Sequence, residues 1–140
     1  IAHLPSDKAL ADEVVREIRE MKPDASVKTA QISGSGLSAD DLGGARFDLL
    51  VNACPVGMFP KTDRMPCAPE VLDGVKHVFD AVYNPSVTLL AKTAREKGAA
   101  AMTGMAMLVL QAVAAHEIWD GASYKKEDID RLISDMEALV

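Results

Sequence analysis

Apolar residues along this 140-residue chain recur first at helical spacing and then in short, nearly continuous runs. The helical pattern predicts an amphipathic helix over residues 8–21, which Ser6 or Asp7 could cap and which Pro23 ends. Its predicted apolar stripe comprises Leu10, Val14, Val15, Ile18 and Met21. Residues 25–32 then predict a short strand.

The second half of the chain alternates apolar runs with helical patterns. Strands are predicted at residues 47–54, 75–83 and 99–104, and helices at residues 88–97, 105–119 and 127–139. The continuous apolar centre of 47–54 is typical of a strand buried on both faces of a parallel sheet. Because the helix 105–119 is apolar almost all round, we expect it to be buried on most sides. This alternation predicts an α/β fold with a doubly wound parallel sheet and flanking helices.

The polar segment between the strands 25–32 and 47–54 contains a G-x-G sequence, Gly34 to Gly36. A phosphate-binding loop would need a third glycine and a long helix directly after it, and both are lacking. We therefore interpret this segment as a plain turn, with at most one helical turn around residues 38–42.

Composition and charge narrow the classes of function. With 21 acidic and 15 basic residues the net charge is −6, which argues against nucleic acid as a partner. No run of 18 apolar residues is present, so we expect a soluble, cytoplasmic protein without a membrane segment. Cys54 and Cys67 match no zinc or redox motif and are predicted to be free thiols. The three histidines are scattered without ligand spacing, and no metal site is predicted.

Polar or small residues stand where the apolar runs stop. Asn52 and Cys54 end the run 47–54, Tyr83 ends the next run, and Gly104 ends the third. Gln111 follows Gly104 by about two helical turns. Because ligands bind at the carboxyl ends of parallel strands, their shared location favours a ligand site. Each residue also has a structural interpretation: a turn cap, a boundary aromatic or an amide bonded to a backbone carbonyl.

The same residues carry a family resemblance. The segments VNACPVGM (51–58), FDAVYNPSVTLL (79–90) and GMAMLVLQA (104–112) resemble three signature segments of the shikimate dehydrogenases. These family segments read N-A-T-P-x-G-M, D-x-x-Y-N-P-x-x-T-x-L and G-x-x-M-L-x-x-Q-A, in the same order. The segment HEIWDG (116–121) is similar to the F-E-x-W-x-G that follows them in the family.

The resemblance implies a Rossmann-like, NADP-binding domain portion of a two-domain dehydrogenase over residues 1–140. The family's glycine-rich loop, and the lysine and aspartate that act on the substrate, would precede Ile1. The resemblance therefore implies a fold truncated on its N-terminal side, a missing N-terminal substrate domain and no catalytic residue in this chain. We expect the chain alone to lack turnover, to bind dinucleotide weakly and to self-associate through the helix 105–119.

The resemblance also assigns cofactor-binding residues. It implies that Asn52, Ala53 and Cys54 line the nicotinamide ribose. The backbone carbonyls of Ala81 and Gly104 would accept hydrogen bonds from the carboxamide, which fixes the ring face that donates hydride. A cysteine at position 54 replaces the family's threonine and weakens the hydrogen bond that a hydroxyl would make.

The remaining implied contacts concern the nicotinamide ring, the substrate and the 2′-phosphate. Met107 would pack on the nicotinamide ring, and Tyr83 and Gln111 would bind the substrate, shikimate or 3-dehydroshikimate. His3 stands where the family places the arginine that meets the 2′-phosphate, so NADP is implied while NAD stays possible. The implied reaction is the reversible, NADPH-dependent reduction of 3-dehydroshikimate to shikimate in aromatic amino acid biosynthesis.

Two alternatives remain open from the sequence. The nucleotide domain of glutamyl-tRNA reductase has a similar fold, although the Y-N-P and M-L-x-x-Q-A segments speak against it. A non-catalytic, receiver-like α/β module would need several acids at strand ends, and only Asp80 is suggestive of these.

Overall fold

The computed structural model describes residues 1–32 and 36–140, which form two compact units. One unit comprises Ile1–Arg46 with Cys67–Val71, and the other comprises Phe47–Pro66 with Leu72–Val140. The turn predicted at Gly34 lies outside the described residues.

The first unit is built on a pair of short parallel strands joined by a helix. Strand β1 (Ala2–His3) pairs with β2 (Ala30–Gln31), and a 3₁₀ turn (Pro5–Asp7) leads from β1 into helix α1 (Lys8–Met21). The predicted bounds of α1 are confirmed, and Asp7 is its N-cap residue, although its side chain makes no capping hydrogen bond.

The strand predicted over residues 25–32 is much shorter in the structure. Two backbone groups in its first half are engaged elsewhere: the Ala25 amide donates to the Lys22 carbonyl in a turn, and the Val27 carbonyl accepts from the Arg19 guanidinium at 2.9 Å. The first half of the segment is thus bonded within a turn and to α1, and the ladder with β1 covers Ala30–Gln31.

Helix α1 buries a slightly different face from the one predicted. Ala11 and Val15 are the buried residues of this helix, whereas Leu10 and Met21, at the ends of the predicted stripe, are exposed. The difference is a rotation of the buried face toward Ala11, because one helical position corresponds to about 100°. The predicted stripe includes no alanine.

The second unit contains a three-stranded parallel sheet in the order β3 (Leu49–Asn52), β4 (His77–Asp80) and β5 (Ala100–Met102). Helix α2 (Leu89–Glu96) connects β4 to β5 and packs against both strands. Thr88 caps the start of α2, and Gly98 follows its end with a φ of 88°, a left-handed conformation that glycine adopts readily. A second 3₁₀ turn spans Pro69–Leu72, of which only Leu72 belongs to this unit.

The prediction that the strand at 47–54 is buried on both faces is wrong for the described structure. Leu49 and Val51 are each 55% exposed, whereas Val78 of β4 is buried. The physical reason is that α2 packs on β4 and β5, whereas the main contacts of β3 are with β4.

Two helices complete the second unit. Helix α3 (Met105–Asp120) ends at Gly121 in a left-handed conformation and packs against α4 (Lys126–Glu137). The expected burial of α3 on most sides is wrong: Ile118 and Trp119 are 81% and 77% exposed. The helix therefore presents the uncovered apolar surface that was expected to favour self-association.

The fold prediction is confirmed as α/β with parallel sheets and flanking helices. Within residues 1–32 and 36–140, none of the helices combines the length and the apolarity that crossing a membrane requires.

Candidate functional site

The carboxyl ends of β3, β4 and β5 meet at one edge of the second unit, around Asn52, Tyr83 and Gly104. We call this edge the rim. In the strand register Asn52 lies opposite Asp80, and Phe79 lies opposite Met102. Thr103 and Gly104 follow β5 directly, and the Gly104 amide donates to the Val82 carbonyl at 2.9 Å. The sheet therefore brings together the predicted segments around Asn52, Tyr83 and Gly104.

A buried carboxylate organises the rim. Asp80 is 0% exposed and its Oδ1 accepts from Asn52 Nδ2 at 2.9 Å and from the Val82 amide at 3.1 Å. Its Oδ2 accepts from the Thr88 hydroxyl at 2.6 Å, and Thr88 Oγ1 accepts from the Ala91 amide at the start of α2. The carboxylate thus links β3, the segment after β4 and the amino terminus of α2.

Asn52 continues this network toward the surface. Its Oδ1 accepts from the Cys54 amide at 3.1 Å and from the Cys54 thiol at 2.9 Å. Asn52 is buried, whereas Ala53 and Cys54 are exposed. The predicted trio therefore consists of one buried anchor and two small exposed residues.

Gly104 is required at its position by close backbone contact. A Cβ atom built on Gly104 would lie 2.1 Å from the Ala81 carbonyl oxygen and 2.6 Å from the Ala81 carbonyl carbon. The Gly104 carbonyl also accepts the Leu108 amide in the first turn of α3. The two carbonyls assigned to the carboxamide thus belong to segments that touch.

The predicted residues on α3 are exposed. Met107 and Gln111 are four residues apart on one helix face, and Tyr83 is also exposed. Gln111 additionally lines a groove of about 800 Å³ between α3 and α4. The groove's apolar lining includes Leu108, Val109, Trp119, Ile129, Leu132 and Met136.

His3 belongs to the first unit. It is buried at the end of β1, and its Nδ1 lies 2.8 Å from the Leu4 carbonyl oxygen. A carbonyl only accepts, so this contact is a hydrogen bond in the ring forms that carry a proton on Nδ1. Its assignment to the 2′-phosphate stays a prediction.

Sequence reasoning missed the structural roles of Asp80, Thr88 and Thr103. The sequence suggests Asp80 only as an acid of a receiver-like module, whereas it is the centre of the hydrogen-bond network at the rim. Thr103 donates its hydroxyl to the Ser86 carbonyl at 2.9 Å and so ties the end of β5 to the segment before α2. The available signal was the spacing of Asp80 and Thr88 within the segment 79–90, where each polar residue borders an apolar run.

An exposed ion pair lies at the opposite, amino-terminal end of the strands. Asp48 and Lys76 are 2.7 Å apart. The pKa of Asp48 is lowered, chiefly by the hydrogen bond from Lys76 and then by its charge, and the pKa of Lys76 is raised by the same contacts. Its distance along the strands from the rim argues against a part in ligand binding.

The direction in which pH changes the stability contributed by this ion pair follows from the two pKa shifts. Asp48 contributes stability above its ordinary pKa of 3.8, and this contribution is lost as pH falls through the lowered folded value. Lys76 contributes below its ordinary 10.5 and loses this contribution as pH rises through its raised folded value. We expect Asp48→Asn to lower the Tm slightly between these limits and to have no effect in about 1 M salt. Melting curves at both ends of this pH range and at two salt concentrations check this; a large, salt-resistant loss contradicts it.

The described residues contain no group of three or more side chains suited to a metal ion, and Cys54 carries a free thiol. Cys54 is exposed, whereas Cys67 is buried. This difference in access makes Cys54 a selective chemical probe of the rim.

Comparison with known proteins supports the resemblance seen in the sequence, although no family model matches the chain. The shikimate dehydrogenase (NADP(+)) of Archaeoglobus fulgidus is 45% identical over 76 residues, which cover 54% of this chain and 28% of that protein. The corresponding protein of Methanococcus maripaludis is 33% identical over 115 residues, covering 80% of this chain and 37% of that protein. The chain thus spans well under half the length of the curated relatives that it matches.

Solved structures of similar fold include shikimate dehydrogenases. A chorismate mutase/shikimate 5-dehydrogenase fusion protein from Clostridium acetobutylicum has a TM-score of 0.77 and 29% identity, covering 100% of this chain and 46% of that chain. A shikimate dehydrogenase in complex with NADP+ has a TM-score of 0.68 and 30% identity, covering 89% and 42%. Quinate dehydrogenase from Corynebacterium glutamicum in complex with NAD has a TM-score of 0.71 and 26% identity, covering 98% and 44%. The Rossmann-like fold and the resemblance to shikimate dehydrogenases are thereby confirmed.

Proposed function

We propose that this chain, a relative of the shikimate dehydrogenases, is the NADP-binding part of an enzyme that reversibly reduces 3-dehydroshikimate to shikimate. The observation that carries the proposal is the meeting of three signature segments at the rim, around Asn52, Tyr83 and Gly104. Dinucleotides bind at the carboxyl ends of parallel strands, which is where these segments lie.

The rim fits a nicotinamide nucleotide chemically. Ala53 and Cys54 are small and exposed, so a ribose can approach the backbone of this segment closely. The carbonyl of Ala81 lies against Gly104, where no side chain intervenes, and backbone carbonyls are suitable acceptors for a carboxamide. Met107, exposed on the first turn of α3, supplies an apolar surface for the ring.

The bound dinucleotide would supply the hydride, so this chain's own task is to orient the ring and the substrate. We assign Tyr83 and Gln111 to substrate binding because both are exposed polar side chains next to the rim segments. The proton for the ketone oxygen would come from a substrate-binding domain, and no catalytic acid is assigned to residues 1–140.

The preferred cofactor is proposed to be NADP, because the relatives are named NADP(+)-dependent enzymes. NAD is the second candidate, since His3 replaces the arginine expected at the 2′-phosphate and since a quinate dehydrogenase of similar fold was solved with NAD. Because that protein is a quinate dehydrogenase, quinate is the second candidate substrate. Initial rates of the full-length protein with shikimate and quinate, each with NADP+ and NAD+, discriminate among the four combinations.

Protection of Cys54 from a thiol reagent tests the proposed nicotinamide site directly. If Asn52, Ala53 and Cys54 line the ribose, bound NADP+ covers the Cys54 thiol. At about ten times its Kd, NADP+ leaves about one tenth of the protein free, so labelling of Cys54 should slow about tenfold. Labelling with iodoacetamide, followed by peptide mass analysis, measures the rate at Cys54 separately from any other thiol.

Two controls show whether the nicotinamide half causes the protection and which cofactor is preferred. Adenosine 2′,5′-bisphosphate lacks the nicotinamide half and should leave Cys54 labelling unchanged at saturation, and NAD+ run in parallel reports the cofactor preference. The nicotinamide assignment is wrong if NADP+ binds but Cys54 labels at its original rate. If the full-length protein binds neither NADP+ nor NAD+, a non-catalytic α/β module would be supported instead.

A further inference from the structure

Asp80 makes hydrogen bonds that a merely space-filling core residue would not need. It is fully buried at the end of β4 and accepts from a side-chain amide, a backbone amide and a hydroxyl. Burying a carboxylate is costly unless its oxygens receive hydrogen bonds, and here both do. Its partners come from three separate segments, so Asp80 fixes their relative positions.

The contact with Asn52 determines which way the Asn52 amide faces. A carboxylate only accepts, so the NH₂ group of Asn52 must point to Asp80 Oδ1. The Asn52 carbonyl oxygen is thereby directed to the Cys54 amide and thiol, where only an acceptor fits. Asp80 therefore sets the orientation of Asn52, and Asn52 in turn holds the turn that contains Cys54.

The contact with Thr88 has a different consequence. Thr88 donates to Asp80 Oδ2 and accepts from the Ala91 amide, so this arm anchors the start of α2. Thr88 is buried, and it bonds to Oδ2 of Asp80, whereas Asn52 bonds to Oδ1. Loss of this arm should affect the stability of the unit more than the geometry of residues 52–54.

We propose that Asp80 is a positioning residue that holds Asn52 and Cys54 in the arrangement that receives the dinucleotide. The part of this inference that concerns the dinucleotide rests on the proposed function; the part that concerns the segment 52–54 does not. Asp80 touches neither cofactor nor substrate and acts through Asn52.

The two arms can be separated by substitution in the full-length protein. Asp80→Ala removes both arms, and we expect the Kd for NADP+ to rise about tenfold and Cys54 labelling without ligand to become several-fold faster. Asp80→Asn retains one carbonyl oxygen, which can still accept from Asn52 and Val82 while the Thr88 hydroxyl loses its acceptor. We therefore expect Asp80→Asn to lose stability but to keep the Kd and the Cys54 labelling rate within about twofold.

A matched control distinguishes positioning from general loss of stability. Val75 is buried just before β4, at the end of the strand away from the rim, and Val75→Ala should lower the Tm without changing the Kd or the labelling rate. All measurements are made well below the lowest Tm. If Asp80→Ala does not fold, Asp80→Ser, whose hydroxyl is too short to replace the carboxylate, takes its place with the same expected changes.

The outcomes separate this inference from the proposed function. Unchanged Cys54 labelling in Asp80→Ala, or in Asp80→Ser where that variant takes its place, would falsify the positioning role. Faster labelling combined with an unchanged Kd in a protein that does bind NADP+ also overturns it, because the held segment then does not serve the dinucleotide. If the unsubstituted protein binds no dinucleotide, the proposed function fails, and the labelling rates alone still decide whether Asp80 holds residues 52–54.

Discussion

Gly104→Ala should lower the free energy of unfolding by about 3 kcal/mol and abolish detectable dinucleotide binding in the protein that remains folded. The added Cβ would lie 2.1 Å from the Ala81 carbonyl oxygen, and the atoms that it meets are backbone atoms of Ala81 and Val82. Backbone cannot rotate away as a flexible side chain can, so the segment after β4 and the start of α3 must separate. Urea unfolding and an NADP+ titration measure the two effects.

The cause of this expected effect is steric overlap and not backbone conformation. Gly104 has a φ of −72°, which any residue adopts, and alanine favours helices more than glycine does. Separation would also break the 2.9 Å hydrogen bond from the Gly104 amide to the Val82 carbonyl. Both carbonyls assigned to the carboxamide would then move.

Gly98→Ala is the matched control. Gly98 has open space around its Cα but a φ of 88°, so an added Cβ strains the backbone without touching a neighbour. Its expected cost is about 1–2 kcal/mol, and it follows α2, at the end of that helix away from Thr88. We expect Gly98→Ala to bind NADP+ normally. Equal loss of binding in both variants would show that binding responds to stability and not to the rim.

The sequence predicted best those features that depend on short-range pattern. Helix α1 was predicted with its observed bounds because its amphipathic period ends just before Pro23. The order of strands and helices in the second unit followed from apolar runs of different length and period. The meeting of Asn52, Tyr83 and Gly104 at the rim was also predictable, because parallel strands place their carboxyl ends at one edge of a sheet.

Features that depend on long-range contact were not predictable from pattern. The hydrogen bond between Asn52 and Asp80 joins residues 28 positions apart and depends on the exact strand register, since a slip of one residue would turn Asp80 to the other face. The exposure of Leu49 and Val51 likewise depends on which strands α2 covers. Apolar character predicted that these residues should be covered but not which element covers them.

Gln111→Ala in the full-length protein should reduce kcat/KM for shikimate roughly 5- to 150-fold, which corresponds to about 1–3 kcal/mol of transition-state binding. Gln111 is a polar residue on a helix that is otherwise largely apolar, and it lies one helical turn beyond Met107, on the same face. If Met107 packs on the nicotinamide ring, the Gln111 amide lies farther along the helix, at the position of the substrate. The KM for NADP+ should therefore change little.

The alternative role of Gln111 follows from its place in the groove between α3 and α4, where its amide could serve only the packing of these helices. In that case Gln111→Ala would change the Tm and leave kcat/KM within about twofold. Glu117→Ala is the matched control, because Glu117 is also exposed on α3 and has no proposed ligand contact. Steady-state kinetics with a melting curve on each variant separate the two roles: a fall in kcat/KM confined to Gln111→Ala supports substrate binding, whereas unchanged kinetics in both variants remove Gln111 from the site.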